Sequence, residues 1–191
     1  MIGSLPTSLE LGGNSYAIRT DFRVSLNIIQ AFNDPDLSDR EKCWVCMKCL
    51  YVDFDSIPDE LYEEAAKKAY WFIDGGDIPK SNVGVKTFDW KQDESMIFSA
   101  INKTAGCEVR SPDLYTHWWT FLGYFSAIGE GLFSQVAHIR SKQAKGKKLE
   151  KWEKEFVREN KELVYMKKPM SEEERRREQE DEAFLNDLIG R

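Results

Sequence analysis

Three cysteines within seven residues, Cys43, Cys46 and Cys49 in the run C-W-V-C-M-K-C, are the first candidates for chemistry. Their spacing resembles the start of an iron–sulfur ligand set, in which thiolates on an open loop converge on one centre. This run falls instead in a segment with helical patterning, where the three sulfurs fan over about 120° of the helix surface. Cys107 is a distant fourth thiol and neither histidine stands at zinc-site spacing. The cysteines therefore read as small buried hydrophobes with free thiols, and no metal is expected.

The remaining polar candidates read in the same direction. His117 and His138 lie in aromatic-lined helical segments without a Ser or Cys partner in a nucleophile signature, so both are expected on helix surfaces. Asp34 with Asp36, and Asp53 with Asp55, resemble acid pairs, but each flanks a proline or a helix end, where Asp serves caps and turns. Neither a phosphate-binding glycine loop nor an H-E-x-x-H motif is present. No enzymatic activity and no cofactor are expected. The basic stretch Lys142 to Lys148 could meet phosphates, yet it runs into Glu150, Glu153 and Glu155, which should largely cancel its field. It reads as a solvated segment between helices, with a minor nucleic-acid contact left open.

The elements that position these residues follow from period and punctuation. Leu9 to Leu11 and Tyr16 to Arg19 flank Gly12-Gly-Asn, which predicts a β-hairpin. Phe22, Leu26, Ile29 and Phe32 then recur at helical steps up to Asn33-Asp-Pro35. Ser38 and Glu41 form a capping box that predicts a helix running to about Asp53. A helix with the face Leu61, Ala65, Ala69 and Phe72 follows Pro58 and ends at Gly75-Gly76, and a loop covers 77–87. Further helices are expected over Asp89 to Ala105, from the Ser111-Pro-Asp cap to Ile128, and from Phe133 or Ser134 onward.

The whole chain of 191 residues and 22.2 kDa carries a net charge of -6, with 41% hydrophobic and 31% charged residues and a mean hydropathy of -0.55. This reads as a soluble, mainly α-helical protein with enough length for a core, and it disfavours membranes and phosphate backbones as partners. The N-terminus shows no leader-like or membrane-spanning stretch, and the thiols suit a reducing cytosol. Composition changes near residue 141: residues 141 to 191 hold 14 Lys and Arg against 13 Asp and Glu, whereas 1 to 140 hold 13 against 20. The expected organisation is a hairpin plus helical domain over 1–140 and a charged helical extension over 141–191, with a thin seam of Leu149, Trp152, Phe156 and Leu163.

Aromatic surplus is the strongest functional signal. On a wheel, Leu114, Trp118, Phe121, Leu122, Phe125 and Ile128 fill one helix face, and Tyr115 and Trp119 widen it. With Trp71, on the Glu64 side of its own helix, they exceed what a small bundle needs inside. They form either a groove for a partner's amphipathic helix or a face covered by the chain's own C-terminal helix. The tail tip, Phe184, Leu185, Leu188 and Ile189, reads as a short docking motif, in cis or in trans.

The blocks M-I-G-S-L-P-T-S-L, Y-A-I-R-T-D-F-R, A-F-N-D-P-D-L-S-D, W-F-I-D-G-G, H-W-W-T-F-L-G-Y-F, I-G-E-G-L-F-S and K-G-K-K-L-E-K-W-E-K-E-F resemble the bacteriophage gene-product-fifteen family of long-tailed phages and prophages of Gram-positive bacteria, from Met1 to about Lys168. The resemblance implies a product encoded just before the tape-measure protein, where tail assembly chaperones are found, often as a short form and a frameshifted longer one. It carries over no catalytic residues. The expected function is a non-enzymatic chaperone in the host cytoplasm, absent from the mature virion. Its expected partners are the tape-measure protein and the tail-tube protein, with self-association possible. Partner binding is expected at Trp71, Tyr115 and Trp119, with Phe184, Leu185 and Leu188 as a second contact. The alternatives are a structural virion component, such as a connector or tail-completion subunit, and a nucleic-acid-binding accessory protein using Lys142 to Lys148.

Overall fold

The computed structural model describes residues 3–76, 84–167 and 170–189, with the side chains of Glu178, Glu182 and 185–189 outside the description. The expected loop over 77–87 is therefore described only from residue 84.

The protein is mainly α-helical with a short N-terminal β-hairpin. Strands β1 (Ser8–Leu11) and β2 (Asn14–Ala17) pair antiparallel, with Leu9 opposite Tyr16 and Leu11 opposite Asn14. The two-residue turn between them places both Gly12 and Gly13 at positive φ, 54° and 83°, as the twist of a tight hairpin demands. Helix α1 (Phe22–Phe32) starts on the Asp21 carboxylate, which accepts from the Arg23 N–H. Helix α2 (Asp39–Leu50) starts on the expected capping box of Ser38 and Glu41. It stops at Leu50 rather than Asp53 because the backbone turns extended: Ile18 pairs with Tyr51, and the Val52 N–H donates to the Ala17 carbonyl.

Two short 3-10 turns lead into α3 (Tyr62–Ile73), and α4 (Glu94–Ala105) ends on Gly106 in the left-handed conformation. Helix α5 (Trp118–Ser126) is shorter than the expected helix from Ser111. The chain before it pairs with the start of α1: Asp21 bridges His117, Phe22 N–H donates to the Thr116 carbonyl and Trp118 N–H to the Thr20 carbonyl. A helix there would forfeit those bonds. Helices α6 (Leu132–Ala144), α7 (Lys151–Glu159), α8 (Lys161–Val164) and α9 (Glu172–Ile189) complete the chain. Among the described residues no helix is long and apolar enough to cross a membrane.

Neighbouring helices pack in the order α3, α2, α1, α5, α4, α6, α8, α7. The main core centres on Phe22, whose ring stacks on Phe121 at 4.4 Å and lies 6.1 Å from Phe98. A second, smaller cluster joins Ile139, Val157 and Val164. The compositional change near residue 141 falls inside α6, which supplies Phe133 to the first cluster and Ile139 to the second.

Beside Ile139, Arg140 is 5% exposed and uses all five of its N–H donors. Two meet the Asp93 carboxylate at 2.5 and 2.9 Å, and the others meet the carbonyls of Thr87, Leu163 and Val164. Asp93 also accepts the Asp89 N–H at 2.9 Å. One guanidinium thus ties α6 and α8 to the turn that starts α4. Removing one partner of such a pair leaves a buried, uncompensated charge. Arg140→Ala should lower unfolding free energy by about 3–5 kcal/mol, and Arg140→Met with Asp93→Leu by much less, both read from denaturant melts.

Glu153 on α7 is fully buried, accepting from Lys142 Nζ at 2.7 Å and from the Glu150 N–H at 2.6 Å. The Lys142 ammonium holds its carboxyl below the usual value of 4.5, aided by the Glu150 N–H and His138. A carboxylate shifted in this direction stabilises the fold above its unfolded pKa, and that contribution is lost as pH falls through the folded one. Wild type should lose resistance to urea more steeply below about pH 4.5 than Glu153→Gln does.

Candidate functional site

The sequence makes an unusual demand on the end of α3. Its last turn leaves carbonyls without helical partners, and Gly75 and Gly76 close it in a Schellman turn: Gly76 N–H donates to the Trp71 carbonyl at 2.9 Å and Gly75 N–H to the Phe72 carbonyl at 3.1 Å. Two indoles from the first turn of α5 finish the cap. Trp118 Nε1 donates to the Ile73 carbonyl and Trp119 Nε1 to the Phe72 carbonyl, both at 2.9 Å. Trp118 is 1% exposed and belongs to the core. Trp119 is only partly buried and meets Trp71 edge to face, with ring centroids 5.2 Å apart.

Of the residues expected at the binding surface, the structure thus brings together Trp71 and Trp119. It places Tyr115 elsewhere. Tyr115 precedes α5, so it is not on that helix's wheel; its hydroxyl sits 2.5 Å from Thr20 Oγ1 while the residue stays 60% exposed. Phe184 on α9 is 66% exposed. The side chains of Leu185, Leu188 and Ile189 lie outside the described residues. Helix α9 touches the body at its own start, where the Glu172 N–H donates to Asp36 and Arg175 approaches the same carboxylate at 3.9 Å.

His117 differs from its expected place on a helix surface. It is 4% exposed, and its Nδ1 accepts the Trp119 N–H as the N-cap of α5. That leaves Nε2 to carry the proton and donate to the Pro6 carbonyl at 3.0 Å, tying the N-terminal segment to the same corner. His138 does lie on a surface, 61% exposed.

The cysteines lie along α2 as free thiols, Cys46 buried and Cys43 and Cys49 packed partly against the core. Burial, with the neighbouring thiols next, pushes the Cys46 thiol up to about 12, far from a reactive thiolate. Among the described residues no group of His, Cys, Asp or Glu converges as a metal site would.

Two surfaces escaped the sequence analysis. An open groove of about 480 Å³ runs along α4 beside the start of α6, lined by Met96, Ala100, Ile128, Leu132 and Phe133 among others. The glycines of I-G-E-G were its only trace in sequence. Trp44 and Val52 stand exposed beside Phe54 and Tyr62; Trp152, expected in the seam with Leu149 and Phe156, is 53% exposed on α7 while those two pack on the second cluster. Scattered single aromatics leave no periodic signal.

The fold and these surfaces define a helical protein with aromatic rings at its exterior and an N-terminal hairpin. A family model described as Bacteriophage Gp15 protein matches residues 1–166, and the chain belongs to that family: it is a bacteriophage protein. Helix α9 lies beyond the matched region. No curated protein and no solved structure matches the chain.

Gly76 fixes the geometry of the tryptophan pair. Its φ is 86°, and a Cβ there would meet the Trp119 ring at 2.9 and 3.1 Å. Gly76→Ala should cost about 2 kcal/mol or more in a thermal or denaturant melt and alter tryptophan emission in the native state.

Proposed function

We propose that this protein is a tail assembly chaperone that binds the tape-measure protein, and with it the tail-tube protein, in the host cytoplasm, and is released before the virion is complete. The observation that carries this reading is the Trp71–Trp119 pair, two large rings held rigidly by the fold yet not absorbed into its core. A long helical partner with apolar stripes aggregates unless those stripes are covered, and rigid aromatic surface covers them at little entropic cost. The groove lined by Met96, Ile128 and Leu132 offers a further apolar contact at the opposite end of α5. Tyr115 and Phe184, both exposed, extend the contact, with Leu185 and Leu188 as expected partners of Phe184. Neither reading of the surface requires catalysis, and none is assigned. Moderate affinity spread over several copies would let polymerising tube subunits displace the chaperone.

Co-expression with the tape-measure protein of the same gene cluster tests this. The tape measure should stay in solution and co-purify with wild type. Trp71→Ala combined with Trp119→Phe, which keeps a ring over Gly76, should lower its recovery several-fold while the melt shows a folded chaperone. Recovery unchanged by the variant would move the contact away from this pair. Finding the protein in purified particles would instead favour the connector or tail-completion reading.

A further inference from the structure

Residues 53 to 64 contain six carboxylates and no lysine or arginine. The same stretch supplies Phe54 and Tyr62 to an aromatic cluster in which Trp44 lies 4.9 Å from Phe54 and 5.8 Å from Tyr62, and Phe54 stacks on Tyr62 at 5.2 Å. Trp44 is 44% and Val52 50% exposed. Burial, then Asp59 and Asp55, raises the Tyr62 phenol. This face already holds a cation from its own chain: Lys48 Nζ lies 4.8 Å from the Phe54 centroid and 5.7 Å from Trp44, and pairs with Asp55. It is a surface whose chemistry suits ammonium groups carried beside an aromatic ring. Glu63 is occupied by Lys67 and Glu64 by the Gly12 N–H, whereas Asp53, Asp59 and Glu60 are exposed and form no ion pair with any described residue.

The complementary surface lies on the same chain. Lys145, Lys147, Lys148, Lys151 and Lys154 are exposed around Trp152 and make no ion pair among the described residues. The sequence suggested that nearby glutamates would cancel this charge. Glu153, however, is buried under Lys142, and the exposed Glu155 pairs with Arg158, which leaves the exposed Glu150 as the acidic neighbour of the five lysines. What remains outside is a lysine-rich rim beside an exposed indole.

The two faces stand at opposite ends of the helix packing order, the acidic one on α2 and the start of α3, the basic one on α7. Among the described residues no ion pair joins the two faces within one molecule, so both remain open to a second copy. We propose that the lysine rim around Trp152 docks on the acidic aromatic face around Trp44 and Val52 of a second copy of this chain. Such a contact pairs two different patches, so it is heterologous: copies add head to tail, closing into a ring if the rotation allows and otherwise extending as a chain. The charges steer the encounter and make it sensitive to salt, while Trp152 and Trp44 supply the apolar contact. A nucleic-acid backbone is the other macromolecule such a rim could meet, but it would leave the acidic face without an occupant.

Charge reversal on the full chain tests the proposal. The average mass of wild type in sedimentation should rise above 22.2 kDa with concentration in low salt and fall back as salt is added. Lys148→Glu, Lys151→Glu, Lys154→Glu should weaken assembly about tenfold or more, as should Asp53→Lys, Asp59→Lys, Glu60→Lys. Mixing the two variants should restore it, since each then offers the other both complementary faces; recovery in the mixture also shows that both are folded. A wild type of constant mass, variants that assemble as wild type does, or a mixture that stays dissociated would each overturn the proposal. Salt-sensitive binding of a DNA duplex that the lysine variant loses, without self-assembly, would overturn it in favour of nucleic acid. None of these residues belongs to the Trp71–Trp119 surface, so tape-measure recovery reports on the chaperone reading separately.

Discussion

The guanidinium of Arg140 is the point through which the two clusters of this protein are joined. Burying a charge is costly unless every donor finds an acceptor, and here one side chain meets a carboxylate and three carbonyls from separate stretches of chain. Hydrophobic contact alone is non-directional and would let α7 and α8 slide on α6. The bonds from Arg140 to the Leu163 and Val164 carbonyls fix α8 on α6, and the bidentate pair with Asp93 fixes both against the turn before α4, because a fork of five donors fits its acceptors in one orientation. Asp93 in turn shapes the turn before α4 by accepting the Asp89 N–H. The placement of Trp152 and its lysine rim relative to the main core therefore rests on this polar link together with the apolar cluster beside it.

Much of the fold could be read from local chemistry. The paired glycines of the hairpin, the Ser38–Glu41 box and the stop at Gly106 are signals whose physical effect is complete within a few residues. Long-range pairing was not legible. Tyr51 and His117 lie in segments of helical composition, yet each is drawn into a bridge with the short stretch between β2 and α1, and that shortens α2 and α5. Tertiary hydrogen bonds overrode helical pattern at both places.

The candidate surface was legible only in part. Counting aromatics revealed a surplus, and two of the residues it singled out, Trp71 and Trp119, meet edge to face across two helices. The wheel misplaced Tyr115, because it assumed a helix that starts six residues later. Glu153 shows the opposite failure: an acidic residue in a charged run reads as solvent-facing, but three partners repay its desolvation and leave the adjacent lysines unbalanced. Net charge along a sequence is a poor guide to net charge on a surface once one member of a run turns inward.

The double indole cap also sets an order of events. The carbonyls of Ile73 and Phe72 wait for donors 45 and 47 residues further along the chain. Until Trp118 and Trp119 leave the ribosome and α5 docks, those two carbonyls lack their indole donors, and Trp71 has no ring to meet. Vectorial synthesis thus delays the aromatic surface until most of the main core can already form. A ribosome-bound fragment ending short of α5 would carry Trp71 without its partner.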